Sequence, residues 1–134
     1  ELTRVLREKT ANIQDRIEME RAGFKAMLEF VRDRPNWYNL FPQAEFVNKE
    51  LYKEIYTKFA DAYIRRIKQS MDSGEIRKLN PEVVVYSFIG IINSIGIKWV
   101  VWDKREIDDQ LIDDLMDFIK YGIAIDRDEI NNNQ

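Results

Sequence analysis

The clearest structural signal in this chain is the stretch at residues 47–71, VNKELYKEIYTKFADAYIRRIKQSM. Apolar side chains recur there every four residues, at Val47, Leu51, Ile55, Phe59, Tyr63, Ile67 and Met71. A neighbouring row begins one position later and contains Tyr52, Tyr56, Ala60 and Ile64. Because residues four apart lie on the same face of an α-helix, this spacing predicts a long amphipathic helix with a broad apolar face.

The segments on either side favour the same class of structure. Upstream, apolar residues between Ile13 and Val31 recur at three- and four-residue steps and predict a helix that ends before Pro35. Residues 35–46 then read as an irregular aromatic connector. Downstream, Gly74 is expected to end the central helix, and Asn80-Pro81-Glu82 is typical of a new helix start. We therefore expect an all-α fold, an orthogonal or antiparallel bundle of four to five helices.

Length and composition limit the possibilities further. The 134 residues suit a single domain over 1–134, with a flexible tail at 126–134. The chain contains no cysteine and no histidine, which excludes disulfides, zinc sites and His-based or thiol catalysis. Residues 103–134 carry a net charge of −6 and the first 102 residues a net of +3, so no dense basic face for nucleic acid is expected. We predict no catalytic residue, no metal site and no cofactor.

The apolar run at 83–102 is long enough to cross a membrane. Asn93, Ser94 and Lys98 interrupt it, and the other helices look soluble, so a central or shared helix is the favoured interpretation. Ser87, Gly90 and Ser94 form a stripe of small residues, which indicates either tight packing within the subunit or, as we favour, a dimer seam with the last helix. Asn93 either bonds a neighbouring helix or lines a cavity.

Two further groups of residues have both a structural and a functional interpretation. Aromatic residues cluster between positions 24 and 63, and they form either core or a ligand pocket. The acids of the last helix, together with Glu18, Glu20 and Glu29, are expected to lie on solvated faces.

Taken in order, these segments resemble the C-terminal regulatory domain of TetR-family transcriptional regulators. The resemblance is carried by FVRDRPNWYNLF at 30–41, DSGEIRKLNPE at 72–82, the apolar helix with Gly90 inside it, and the closing amphipathic helix. It covers residues 2–123.

The resemblance implies a cytoplasmic homodimer, most often a repressor, that does not bind a membrane. It implies that a small apolar or aromatic effector binds in a cavity lined by Phe24, Met27, Trp37, Tyr38, Tyr52, Tyr56, Phe59, Tyr63, Tyr86, Ile89 and Asn93. The implied dimer interface contains Ser87, Gly90, Ser94, Ile107, Leu111, Leu115, Phe118 and Ile119. The family's N-terminal helix-turn-helix is missing, so residues 1–12 are expected to be the end of the linking helix, and operator DNA would be bound only through the missing domain.

Two other functional classes stay open. A helical structural or protein-interaction module without a ligand would explain the helices but not the aromatic excess. An enzyme would need a carboxylate or tyrosine site with strongly shifted pKa values.

Overall fold

The computed structural model describes residues 1–123, and no strand occurs among them. Six α-helices follow one another: α1 (Leu2–Thr10), α2 (Arg16–Asp33), α3 (Trp37–Val47), α4 (Lys49–Asp72), α5 (Pro81–Ile95) and α6 (Asp109–Ile123). A π-helical segment, Gly96–Trp102, continues α5. The all-α class is thus confirmed, with more helices than expected. The predicted tail at 126–134 lies outside the described residues.

The extra helices arise at the two ends of α2. The residues before Arg16 form the separate helix α1, which packs against α2 through Leu2 and Leu6. The connector predicted to be irregular is helical over most of its length, although α3 contains Pro42. A proline inside a helix removes one backbone hydrogen bond, which is why the sequence argued against a helix there. The packing of Trp37 and Tyr38 against the core outweighs this local preference.

Side-chain caps fix where the principal helices begin. The side chains of Asp15, Asn48 and Asn80 accept hydrogen bonds from the first-turn amides of α2, α4 and α5. These bonds satisfy amides that have no partner within the helix. Gly74 follows α4 with φ of +81°, a backbone conformation that glycine adopts without strain. The predicted helix end at Gly74 and the predicted start at Asn80 are therefore both confirmed.

Helix α2 is the centre of the molecule. It contacts α1, α5, α6 and the π-helical segment, while α4 packs against α3 and α5. The most deeply buried side chains of the core come from α2, α4, α5, α6 and the loop before α5, and they are Leu28, Val31, Ile67, Ile76, Val85 and Ile112. The amide of Arg77 donates to the carbonyl of Ile123 at 2.9 Å, so the end of α6 lies beside the loop that leads into α5.

Helix α5 and the π-helical segment form one continuous helix, Pro81–Trp102, long and apolar enough to cross a membrane by length and composition. About a third of the residues in its most apolar window are buried within the chain. The amide of Asp103 donates to the carbonyl of Lys98 at 3.1 Å, five residues earlier, in the bonding pattern of a π-helix. The described part of the chain leaves one side of this helix exposed, and that side carries Val83, Tyr86 and Trp102 among small and charged residues.

Candidate functional site

The predicted ligand-binding residues fall into three neighbouring groups. The first is an inner cluster of rings from α2, α4 and α5. The ring of Phe24 meets that of Phe88 edge to face, with centroids 5.7 Å apart, and the centroid of Tyr63 lies 6.4 Å from that of Phe88. Met27 belongs to the same buried core. In this group the side chains fill the space between the helices by packing on one another.

The second group is an outer row of three tyrosines where α4 crosses α5. Ring centroids are 5.9 Å apart for Tyr52 and Tyr56, and 6.1 Å apart for Tyr56 and Tyr86, whose planes are inclined by only 23°. Tyr52 and Tyr56 are half-buried, and Tyr86 is 38% exposed. Partial burial raises the pKa of both Tyr52 and Tyr56. The row presents ring faces that a planar or cationic molecule could stack on.

The third group joins α3 to the rest of the molecule. The ring of Trp37 stands edge-on to that of Phe30, with centroids 5.1 Å apart. The hydroxyl of Tyr38 lies against the backbone of Gly96, in the space that a Cβ at position 96 would occupy. Burial raises the pKa of Tyr38 to about 12. Tyr38 therefore stays a neutral phenol throughout the physiological range.

The remaining predicted ligand residues, Phe59, Ile89 and Asn93, are half-buried, and Ile89 packs against the core. A surface depression of about 360 Å³ on the exposed side of α4 contains none of the predicted residues; its lining is Glu50, Lys53, Glu54, Thr57 and Lys58. The structure thus joins Phe24 to Tyr63 through the ring of Phe88, and Tyr52 to Tyr56 and Tyr86 in a second group, while Trp37 contacts Phe30 and Tyr38 contacts Gly96.

A buried polar network connects α2 to the second half of α4, and the sequence interpretation missed it. Glu20, expected on a solvated face, is only 5% exposed. Its carboxylate pairs with the guanidinium of Arg16 at 3.2 Å and accepts a hydrogen bond from the hydroxyl of Tyr63. The Nε of Arg16 also donates to Ser70 Oγ at 3.0 Å. The network therefore joins the start of α2 directly to the inner aromatic cluster.

Burial dominates the electrostatics of this network. Desolvation raises the pKa of Glu20, although Tyr63 and Arg16 act in the opposite direction by stabilising the carboxylate. Burial and the adjacent Glu20 also hold the pKa of Tyr63 well above 10. Tyr63 is consequently a permanent hydrogen-bond donor to Glu20.

One signal in the sequence could have identified this network. Arg16, Glu20, Phe24 and Leu28 follow one another at four-residue steps, so the ion pair lies on the same helix face as the apolar residues. The expectation of a solvated Glu20 treats this acid as lying off the apolar stripe, whereas its burial with Arg16 places it on that stripe.

The predicted interface residues separate into two sets. Ser87, Gly90 and Ser94 are exposed along α5, and Phe118 on α6 is 74% exposed. Leu111, Leu115 and Ile119 are instead buried within the chain, and Ile107 is half-buried against the core. The buried members face inward because α6 packs its apolar stripe against α2. Within one subunit these side chains expose almost no surface.

Other apolar side chains of the same two helices are exposed as well. Val83 is 62% exposed, Trp102 69% and Tyr121 53%. We use the name outer α5–α6 surface for this set of exposed residues, which also includes Tyr86, Ser87, Gly90, Ser94 and Phe118. Its members come from the two helices that the resemblance assigns to dimerisation.

On the other side of α6, Asp113 pairs with Arg21 of α2. Within residues 1–123, no group of three or more acidic side chains is arranged to hold a metal ion.

The sequence matches no protein-family model and no curated protein.

Proposed function

We propose that this chain is the effector-binding and dimerisation domain of a TetR-like transcriptional regulator, and that the full-length protein is a cytoplasmic repressor. Its order of helices, with a central amphipathic helix, an apolar helix and a closing amphipathic helix, supports this proposal. Operator DNA would be bound by a domain preceding α1. The proposed effector is a small apolar or aromatic molecule recognised by the tyrosine-rich groups between α2, α4 and α5.

The observation that carries the proposal is the outer α5–α6 surface. A helix that is apolar along its length is stable in water only if its apolar faces are covered. Within the described chain, only one side of α5 is covered. The small side chains of Ser87 and Ser94, with Gly90 between them, would let a second helix approach closely. A second copy of the chain, related by a two-fold axis, would cover the same surface on both subunits.

The regulatory step would be a shift between two arrangements of the domain. A ligand changes such an equilibrium only by the difference between its affinities for the two states. The Glu20–Tyr63 hydrogen bond and the Arg16–Glu20 ion pair connect the aromatic groups to the start of α2, next to α1. A change at the aromatic groups would therefore reach α1, the helix that follows the proposed DNA-binding domain.

Sedimentation of the chain and its Gly90→Arg variant tests the proposed dimer. A Cβ at Gly90 meets nothing within 4 Å, so the substitution leaves the subunit fold intact and obstructs only a partner. We expect a dimer for the original chain and a monomer for Gly90→Arg. The matched control is Thr57→Arg, at an exposed position on α4, which should remain dimeric. A monomeric original chain, or one that floats with phosphatidylcholine vesicles, would contradict the proposal.

A helical interaction module without a ligand is the second candidate. The mutual packing of Phe24, Phe88 and Tyr63 favours it, because these rings leave their space occupied. The test is the operator affinity of the full-length protein, measured with and without small aromatic molecules. If no bound aromatic molecule changes this affinity, the domain does not act by effector control and the second candidate is favoured.

A further inference from the structure

Helix α3 is attached to the molecule mainly by its first turn. Trp37 and Tyr38 are half-buried, whereas Leu40, Phe46 and Val47 are 54%, 93% and 82% exposed. Pro42 lacks the amide that would bond back to the carbonyl of Tyr38, so the helix is weakened just after its anchor. Segments with few buried contacts and a missing backbone bond open at low free-energy cost.

Tyr38 fits into the π-helical segment more closely than ordinary core packing requires. A Cβ added at Gly96 would overlap the Tyr38 hydroxyl and would lie 3.1 Å from its Cζ. At the other four glycines of the chain, an added Cβ would meet nothing within 4 Å. Gly96 therefore provides the room in which the phenol of Tyr38 sits. The π-helical turn lies at this point of α5, and such turns are often found at functional sites.

We propose that α3 is a lid and that Tyr38 is its plug: a phenol-sized planar aromatic ligand binds in the space beside Gly96 that the Tyr38 ring now fills, and α3 is displaced outward. The ligand class follows from the present occupant, because a space shaped around a phenol ring accepts a free phenol of the same size. This inference rests on the proposed effector-binding function and assigns a place and a mode of entry to the effector.

The lid gives the ligand a way to change the structure. Displacing Tyr38 also releases Trp37 from the edge of Phe30 on α2, since the two residues are adjacent in the first turn of α3. Asn48, which caps α4, directly follows α3. Movement of α3 would therefore alter contacts on α2 and the start of α4, close to the outer tyrosines.

The probe for this proposal is p-cresol, which reproduces the tyrosine side chain. Its binding to the original chain would be measured by calorimetry, together with hydrogen exchange of the amides at 37–47. We expect p-cresol to bind and to increase exchange across α3. Removal of the plug in Tyr38→Ala should tighten binding about tenfold or more, because the ligand then binds without first opening the lid.

Gly96→Ala tests the plug without any ligand. The new Cβ would exclude the Tyr38 hydroxyl, so we expect faster exchange at 37–47 in the free protein. The double variant Tyr38→Phe with Gly96→Ala removes the overlapping oxygen and should restore most of the protection. Equal exchange in Gly96→Ala and the original chain would contradict the plug.

Binding to Tyr38→Ala alone does not support the proposal, because a cavity created by truncating a large side chain can itself bind a small aromatic molecule. The lid proposal is contradicted if p-cresol binds the original chain while hydrogen exchange at 37–47 is unchanged. It is also contradicted if p-cresol does not bind the original chain. The dimer test with Gly90→Arg does not depend on α3. A failure of the lid proposal can therefore be distinguished from a failure of the proposed function.

Discussion

Glu20 shows how one side chain connects packing to chemistry in this molecule. Its carboxylate is buried between α2 and α4, where Arg16 and Tyr63 bind it. Taking an ion pair out of water costs several kcal/mol per ion, which the mutual attraction only partly repays. The pair therefore contributes more to fixing how α2 and α4 meet than to the net free energy of folding.

Removing either charge alone should be more harmful than removing both. We expect Arg16→Met to lower the free energy of unfolding by about 3–5 kcal/mol, because it leaves Glu20 buried without its cation. The double variant Arg16→Met with Glu20→Met should recover most of that loss. Urea denaturation of both single variants and the double variant measures the coupling, and strictly additive losses would show that the pair is not coupled.

The titration of Glu20 should make the free energy of unfolding depend on pH. Burial raises its pKa in the folded state above the ordinary value, so the uncharged acid is the form that folding favours. Its contribution to stability is therefore fully present below the unfolded-state pKa and is lost as the pH rises through the higher folded-state pKa.

Glu20→Gln removes this titration. The stability of the original chain relative to Glu20→Gln should consequently decline as the pH rises above the ordinary glutamate range, as measured by urea denaturation at each pH. Using the difference cancels the titration of groups that the two proteins share. A difference that rises with pH would mean that Arg16 and Tyr63 outweigh the burial of Glu20.

Helix α5 depends on its first turn for a defined start. Asn80 Oδ1 accepts from the amides of Glu82 and Val83 at 2.9 and 3.4 Å. Asn80→Ala should lower the free energy of unfolding by about 1 kcal/mol, because two amides lose their acceptor. Asn80→Asp keeps the acceptor and should stay close to the original chain. Equal stability of the Ala and Asp variants in thermal unfolding would show that the cap contributes nothing.

Helix α3 is the element that differs most from the secondary structure predicted from the sequence. The sequence there contains Pro35, Pro42 and several aromatic residues, which together are typical of an irregular connector. A helix forms nevertheless, because Trp37 packs on Phe30 of α2 and Tyr38 packs on Gly96 of the π-helical segment. Gly96 is far from Tyr38 in the sequence, so a local window does not reveal that contact.

At the scale of the whole molecule, the outer α5–α6 surface leaves Val83, Trp102, Phe118 and Tyr121 exposed in the single chain. If the outer α5–α6 surface is covered by a second copy, unfolding is coupled to dissociation. The thermal midpoint of the original chain should then rise with protein concentration in calorimetry, whereas the midpoint of Gly90→Arg should not. A concentration-independent midpoint for the original chain would mean that its subunits fold and remain separate.

The sequence by itself determined the all-α class, a central helix predicted over 47–71 and observed at Lys49–Asp72, and the boundaries at Gly74 and Asn80, since periodicity, caps and glycine act over a few neighbouring residues. Only the tertiary structure decided that Glu20 is buried, that Leu111, Leu115 and Ile119 face inward while Phe118 faces outward, and that Tyr38 lies against Gly96. Each of these depends on which helix covers which face. That choice is made by packing between residues distant in the chain, and the same periodic pattern is compatible with several such arrangements.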